Sequence, residues 1–189
     1  SYNFREDITN TFVGYFLKYS EILAKIHKEG FVHRDIKPKN LYVDNGKVFI
    51  GDFGIVDVPD DKNGLTKKGD RLGAWNTIAP EVLKDATKAT DKSDVYSLAK
   101  SLWMCLALNE DGFSGRYDVD DPSMSLHDTP HLKYAYLVDL DDLLSKATQE
   151  NPALRPSMQE FHDELVTWTE ASQSFELRNK KEWNFIYKS

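Results

Sequence analysis

Apolar side chains recur every three or four positions near the start of the chain, at Phe12, Phe16, Tyr19, Leu23 and Ile26. This spacing places them along one face of a helix. Gly30 follows the last of them and suits the position just past a helix end, where the backbone is commonly left-handed. The pattern therefore predicts an amphipathic helix over residues 11–29.

Two short β-prone runs follow this helix, at residues 41–43 and 47–50, and Asp-Asn-Gly at residues 44–46 joins them. Asn and Gly both tolerate positive φ, which a tight hairpin turn requires. We therefore expect an antiparallel hairpin. It would bring the polar loop at residues 33–40 close to a second polar loop at residues 52–54.

Helical spacing returns in the second half of the chain. Residues 92–109 are apolar on nearly every side, which is typical of a helix buried at the centre of a helical domain. Another helix is predicted before Pro152 from apolar residues at Leu137, Leu140, Leu144 and Ala147. A last helix begins near Ser157, which forms a capping box with Glu160. The predicted fold class is mainly α, a helical bundle around a buried central helix with one small β-hairpin.

Two segments lack periodicity. Residues 56–70 are rich in Asp, Lys, Gly and Asn, which predicts a long mobile loop. Residues 110–133 are interrupted by glycines and prolines and are also expected to be irregular. We expect one domain over residues 1–170 and a C-terminal tail of uncertain structure over residues 171–189.

Composition narrows the class of protein. The chain of 189 residues is 40% hydrophobic, enough for one core, and has a formal net charge of −7. That charge argues against nucleic-acid or anionic-membrane binding, since both need clustered positive charge. No apolar stretch approaches the roughly 18 residues that a membrane span needs, and Cys105 stands alone in an apolar run, as a small buried residue would. We expect a soluble, cytoplasmic protein.

The loop at residues 33–40 carries Asp35, Lys37 and Asn40 in the order D-x-K-x-x-N. Phosphoryl transfer from ATP needs a group that orients a hydroxyl, a cation that balances charge on the phosphoryl, and oxygen ligands for Mg²⁺. A carboxylate, an ammonium and a carboxamide suit these tasks. Asp52 adds a further oxygen ligand on the second loop. Taken alone, D-x-K-x-x-N is more often a solvated loop with an Asx-turn.

Further motifs favour phosphoryl-transfer chemistry over an ordinary solvated loop. After "HRDIKPKN" come "DFG" at residues 52–54, "APE" at residues 79–81, "SDVYSLA" at residues 93–99 and "NPALRPSMQEF" at residues 151–161. In this order and spacing they resemble the signature set of eukaryotic-type protein kinases, in particular Ser/Thr kinases. The resemblance covers roughly residues 5–170. It implies the kinase C-terminal (large) lobe as the fold, ATP and Mg²⁺ as cofactors, and a protein substrate.

The resemblance also implies roles for the loop residues. Asp35 would be the catalytic base, and Lys37 would contact the γ-phosphate. Asn40 and Asp52 would hold Mg²⁺ against the phosphates. The nucleotide's adenine would pack on Leu41 and Val43.

Other residues would support these loops. His33 would brace the two loops against each other without transferring a proton. Asp94 would bind the backbone around His33 and Arg34, and Glu81 would form a buried ion pair with Arg155. The ordinary alternative for that pair is a surface contact of little value.

The same resemblance suggests regulation. A basic residue in the position of Arg34 often clamps a phosphorylated residue of the activation segment. Here that segment begins at Asp52, Phe53 and Gly54, and Thr66 is the leading candidate phosphosite with Thr77 second. Thr66 is equally well an ordinary loop threonine. Ala74 stands where Ser/Thr kinases usually have a threonine that bridges to the base and the loop lysine, which makes Ser/Thr specificity less secure.

A complete kinase also has a glycine-rich strand-loop-strand and a strand lysine. Neither pattern occurs in the residues before His33, so we expect an N-terminal β-lobe to be absent and activity to require a separate N-lobe or regulatory protein. The alternative is a kinase-derived module that binds proteins without catalysis. A small-molecule kinase is a weaker alternative, since such enzymes do not usually carry the "DFG" to "APE" segment.

Overall fold

The computed structural model describes residues 2–53, 75–133, 135–174 and 176, with side chains from residue 8 onward. A short helical turn covers residues 75–77. The other α-helices and the strands are α1 (Tyr2–Lys28), β1 (Leu41–Asp44), β2 (Lys47–Ile50), α2 (Pro80–Lys84), α3 (Asp91–Ala107), α4 (Val138–Ala147) and α5 (Met158–Gln173). The described part of the chain is thus mostly helical, with a single two-stranded antiparallel sheet.

Helix α1 confirms the amphipathic helix predicted near the start of the chain but is longer than predicted. It begins at Tyr2 rather than at residue 11. Ile8 lies four residues before Phe12, so the apolar stripe continues toward the start, and Thr9 is buried beside it. The helix ends as expected, because Gly30 has a left-handed backbone with φ +83°.

The hairpin is also confirmed, with a first strand one residue longer than predicted. Asn45 and Gly46 form the turn with φ +48° and +74°, the positive values that a two-residue hairpin turn needs. Across the strands Leu41 pairs with Ile50, and Tyr42 pairs with Phe49. Alternation along each strand therefore puts these two pairs on opposite faces of the hairpin.

Helix α3 is the centre of the core. Nearly all of its side chains from residue 93 to 106 are buried, as the sequence predicted, while Cys105 is partly buried. The helix ends at Ala107, two residues before the predicted end, because Leu108 turns into the left-handed region with φ +52°. Helices α1, α4 and α5 pack around it. His162 of α5 and Ser20 of α1 lie 3.1 Å apart (Nδ1 to Oγ), which ties the last helix to the first.

The capping box at the start of α5 is confirmed. The Ser157 hydroxyl accepts from the N–H of Glu160 at 3.2 Å, and the Glu160 carboxylate accepts from the N–H of Ser157 at 2.6 Å. Helix α5 continues past residue 170 to Gln173 and buries Ala171 and Ser172, and the domain boundary at residue 170 stays a prediction. The apolar stripe of α5 ends on a small residue, Ala171, which gives only a weak helical signal in the sequence. The predicted loop at residues 56–70 and most of the predicted tail lie outside the described residues.

No helix in the described part of the chain is both long and apolar enough to cross a membrane.

Candidate active site

The two polar loops meet at one end of the hairpin. The N–H of Gly51 donates to the backbone carbonyl of Asn40 at 2.9 Å, which joins the end of β2 to the residue before β1. Asp52 follows Gly51 directly and is exposed. Its backbone is left-handed, with φ +52°. This conformation is energetically unfavourable for any residue that has a side chain. The hairpin thus brings the loop ending at Asn40 next to Asp52.

Asp35, Lys37 and Asn40 form one hydrogen-bonded group. The Lys37 ammonium lies 3.0 and 2.8 Å from the two carboxylate oxygens of Asp35. The Asn40 amide nitrogen donates to the backbone carbonyl of Asp35 at 2.8 Å and to its carboxylate at 2.9 Å. Since the amide nitrogen faces Asp35, the amide oxygen is the Asn40 atom with the chemistry to ligate a cation. A short Pro38–Asn40 3₁₀ turn holds this spacing.

His33 is buried between the two loops. Its Nε2 lies 3.1 Å from the Gly51 carbonyl, and its Nδ1 accepts from the N–H of Asp35 at 3.3 Å. One bond needs a donor and the other an acceptor, so this network requires the neutral ring with its proton on Nε2. Burial lowers the pKa of His33 below 6.5, against the opposing effect of nearby carboxylates such as Asp94. Neutral His33 therefore braces the loops at neutral pH.

Asp94, near the start of α3, binds the backbone of the loop at residues 33–40. Its Oδ2 accepts from the N–H of His33 at 2.7 Å, and its Oδ1 accepts from the N–H of Arg34 at 2.8 Å. A third contact was not predicted: Nε2 of His27, at the end of α1, lies 2.8 Å from the same carboxylate. No motif marks His27 in a single sequence, although its place in the last turn of α1 could have suggested it.

Glu81 and Arg155 form a buried ion pair. Arg155 donates from two guanidinium nitrogens to the two Glu81 oxygens at 2.7 and 2.8 Å, and Ser93 donates to the same carboxylate at 2.8 Å. Burial acts to raise the pKa of Glu81, but the hydrogen bonds from Arg155 and Ser93 outweigh it and the pKa is lowered. The guanidinium carbon also lies 4.8 Å from the centre of the Tyr96 ring. The pair locks α2 to the segment before α5.

The hairpin presents aromatic side chains to solvent on one face only. Tyr42 and Phe49 are 49% and 50% exposed, and a Cβ added at Gly51 would lie 2.7 Å from the Tyr42 ring. Leu41 has the opposite orientation and packs against the core together with Ile50. Leu41 thus faces away from Tyr42, and its predicted nucleotide contact stays a prediction. Tyr42 is the residue of β1 whose side chain is exposed beside Gly51 and Asp52.

The remaining predicted residues are placed as follows. The exposed Phe53 ring lies against His33, with ring centres 4.4 Å apart. Arg34 is exposed and has φ +73°. Thr77 is only 2% exposed, which disfavours it as a phosphate acceptor in this conformation. Gly54, Thr66 and Ala74 lie outside the described residues.

Comparison with known proteins agrees with this geometry. The protein kinase domain family matches residues 5–166, most of the chain. The chain belongs to the protein kinase domain family. This kinase chain is 33% identical over 157 residues to a probable serine/threonine-protein kinase of Dictyostelium discoideum, covering 82% of the chain and 11% of that relative.

Two other relatives cover similar shares of this kinase chain. The serine/threonine-protein kinase Nek11 of Homo sapiens is 30% identical over 149 residues, which is 78% of the chain and 22% of that protein. The dual specificity protein kinase Ttk of Danio rerio is 31% identical over 163 residues, which is 79% of the chain and 16% of that protein. The kinase chain therefore spans less than a quarter of the length of each of these three relatives.

Proposed function

We propose that residues 1–170 are the large lobe of a Ser/Thr protein kinase, which transfers the γ-phosphate of ATP to a protein hydroxyl. The observation that carries the proposal is the hydrogen-bonded group of Asp35, Lys37 and Asn40 beside Asp52. Membership of the protein kinase family gives the group its chemical meaning.

Each residue of the group has a defined task in this proposal. Asp35 orients the substrate hydroxyl and accepts its proton, and Asn40 fixes the Asp35 carboxylate at 2.9 Å. Lys37, held 2.8 Å from that carboxylate, places a positive charge where negative charge develops on the transferred phosphoryl group. His33 and Asp94 hold the loop in this conformation from below.

The residues present fit a magnesium nucleotide. The Asn40 amide oxygen and the exposed Asp52 carboxylate are oxygen donors, the type that Mg²⁺ prefers. In the described part of the chain no three His, Cys, Asp or Glu side chains converge as a metal site, so the phosphates and water would have to complete the coordination. Bound Mg·ATP supplies the phosphoryl group. Tyr42, exposed beside Asp52, offers an aromatic surface to the nucleotide base.

The proposal requires a small lobe, and the described residues do not contain one. In the described residues before His33 the chain is helical up to Lys28, so that segment holds no glycine-rich strand-loop-strand. Tyr42 and Phe49 leave an exposed aromatic face beside the site, the kind of surface that a second lobe or partner protein would cover. The lobe could come from the same gene or from a separate chain.

Serine and threonine are the proposed acceptors. Lys37, two residues after Asp35, is typical of Ser/Thr kinases, and the Dictyostelium and human relatives carry that description. Ala74 is the exception to the pattern, and the Danio relative is described as a dual specificity kinase. Identifying the phosphorylated amino acid in a protein substrate would decide the acceptor class.

A second candidate function is protein binding without catalysis. The exposed aromatic face of the hairpin favours it, because such a face suits a partner protein as well as a nucleotide. Titration of the chain with Mg·ATP separates the two. Nucleotide binding, measured as a rise in Tm, supports the kinase, whereas no change in Tm together with tight binding of a protein partner supports the binding module.

The direct experiment is phosphate transfer in the full-length protein. The chain with its upstream coding region, or mixed with a candidate small lobe, is supplied with Mg·ATP and a general basic protein substrate. We expect transfer that the 189 residues alone do not achieve efficiently, since catalysis of this reaction depends on positioning and charge. Inactivity under every condition would contradict the proposed function.

A further inference from the structure

A buried lysine lies in the middle of the central helix. Lys100 of α3 is 1% exposed, in a helix whose neighbouring positions are otherwise apolar or small. Lysine is almost never fully buried unless its ammonium group is satisfied, because desolvation of the charge costs free energy. A lysine buried at this position therefore requires specific partners for its ammonium group.

Those partners belong to one loop, residues 109–117, which follows α3. The Lys100 Nζ donates to the backbone carbonyl of Phe113 at 2.5 Å and to that of Gly115 at 2.9 Å. It also lies 3.3 Å from the centre of the Phe113 ring, a favourable position for a cation. Tyr96, one turn earlier on α3, donates its hydroxyl to the same Gly115 carbonyl at 3.1 Å. Lys100 thus holds the loop from inside the core.

The other side of this loop contacts the segment at residues 75–78. The Asn76 amide nitrogen donates to the carbonyl of Asp111 at 2.7 Å. Gly112 lies so close that an added Cβ would be 3.2 Å from the Cβ of Asn76. The loop at residues 109–117 therefore packs directly against Asn76.

Tyr96 connects the same loop to the residues that follow the segment at residues 75–78. Its ring is buried with Ala79 and Val82 in a small apolar cluster, while its hydroxyl reaches Gly115. The segment at residues 75–78 comes directly before Ala79. Lys100, the loop at residues 109–117 and the segment at residues 75–78 are therefore connected by successive direct contacts.

We propose that Lys100 is a positioning residue for the protein substrate, acting through the loop at residues 109–117 on the segment at residues 75–78. The inference rests on the proposed kinase function. Glu81, shortly after this segment, accepts from Ser93, and the adjacent Asp94 holds the loop that carries Asp35. Trp75 is 52% exposed and available to a substrate. A substrate polypeptide would meet this segment, whereas the nucleotide would meet the hairpin.

If Lys100 positions the protein substrate, its loss should weaken binding of that substrate and not of ATP. Lys100→Met keeps the length and apolar stem of the side chain but removes every N–H that holds Phe113 and Gly115. Asn76→Ala breaks the last link of the same connection at an exposed hydrogen bond, so folding should not depend on it. In the full-length protein both variants should raise the KM for the protein substrate by about tenfold and leave the KM for ATP unchanged.

Lys18→Met is the matched control. Lys18 also donates to a loop carbonyl, that of Gly46 at 2.8 Å, but at the exposed hairpin turn. We expect no change in either KM. Lys100→Arg retains donors and should keep part of the substrate affinity that Lys100→Met loses, which a requirement for any large side chain would not explain.

Hydrogen exchange gives a second readout that needs no catalysis. Lys100→Met should accelerate amide exchange in residues 109–117 and also in residues 75–84. Faster exchange in residues 109–117 alone would show that Lys100 merely closes its own loop and would overturn the proposal. An active wild type with unchanged KM values in both Lys100→Met and Asn76→Ala would also overturn it. An inactive wild type would instead contradict the proposed kinase function.

Discussion

The carboxylate of Asp94 holds Arg34 in a left-handed backbone conformation: its Oδ1 accepts from the Arg34 N–H at 2.8 Å, and Arg34 has φ +73°. Such a conformation costs a residue with a Cβ about 1 to 2 kcal/mol. A buried hydrogen bond to a charged acceptor offsets a cost of this size. The central helix thereby sets the path of the loop that carries Asp35.

Asp94→Ala should lower the free energy of unfolding by about 3 kcal/mol, because it leaves the N–H groups of His33 and Arg34 and the ring of His27 without their acceptor. Urea denaturation measures this loss. Asp94→Asn keeps one oxygen and should cost less. Asp163→Ala, which removes an exposed bond from Gln159, is the control and should change stability by less than about 0.5 kcal/mol. Equal effects of Asp94→Ala and Asp163→Ala would contradict the assigned role.

The Glu81–Arg155 pair predicts a loss of stability in acid. The pKa of Glu81 is lowered in the folded protein, because its bonds from Arg155 outweigh burial. Its contribution is therefore complete above the unfolded pKa of about 4.5 and is lost as the pH falls through the lower folded value. Glu81→Gln should remove this part of the acid dependence. Unfolding measured from pH 7 to pH 3 in both proteins checks it, and parallel curves would count against the pair.

The buried Lys100 predicts that the free energy of unfolding depends on pH in the alkaline range as well. Burial lowers the pKa of Lys100 from 10.5 to about 7. Between these values the unfolded chain binds a proton on Lys100 that the folded protein does not bind, so the free energy of unfolding rises with pH. Below about pH 7 the folded protein bears the whole cost of the buried charge. Lys100→Met should show a smaller rise between pH 7 and pH 9 in urea denaturation, and an unchanged rise would refute the assignment.

Tyr42 and Leu41 should respond differently to truncation, since they lie on opposite faces of β1. Leu41→Ala removes a side chain that packs on the core and should lower the free energy of unfolding by about 2 kcal/mol. Tyr42→Ala should leave stability nearly unchanged but weaken Mg·ATP binding about tenfold in the full-length protein. Calorimetric titration and urea denaturation of both variants separate the two effects. Weaker nucleotide binding in Leu41→Ala alone would reverse this assignment.

Sequence patterns predicted most of the fold because the helices are amphipathic and the Asn45-Gly46 turn is unambiguous. Motif spacing brought Asp35, Asn40 and Asp52 together correctly, since the hairpin between them is short. The orientation of Leu41 was missed because a half-buried strand has no reliable inward face without its register. Lys100 was missed for a different reason: one lysine in an apolar helix becomes informative only when its partners, here Phe113 and Gly115, are located.

We propose that this lobe performs phosphoryl transfer with Asp35 as the base, and a comparison of three full-length proteins decides whether it does. Phosphate transfer from Mg·ATP to a protein substrate is compared in the full-length wild type, Asp35→Asn and Asp44→Asn, whose exposed carboxylate lies at the far end of the hairpin. We predict that Asp35→Asn lowers kcat by at least about a hundredfold without weakening Mg·ATP binding, and that Asp44→Asn has no effect. Equal transfer rates in the wild type and Asp35→Asn would show that Asp35 is not the catalytic base.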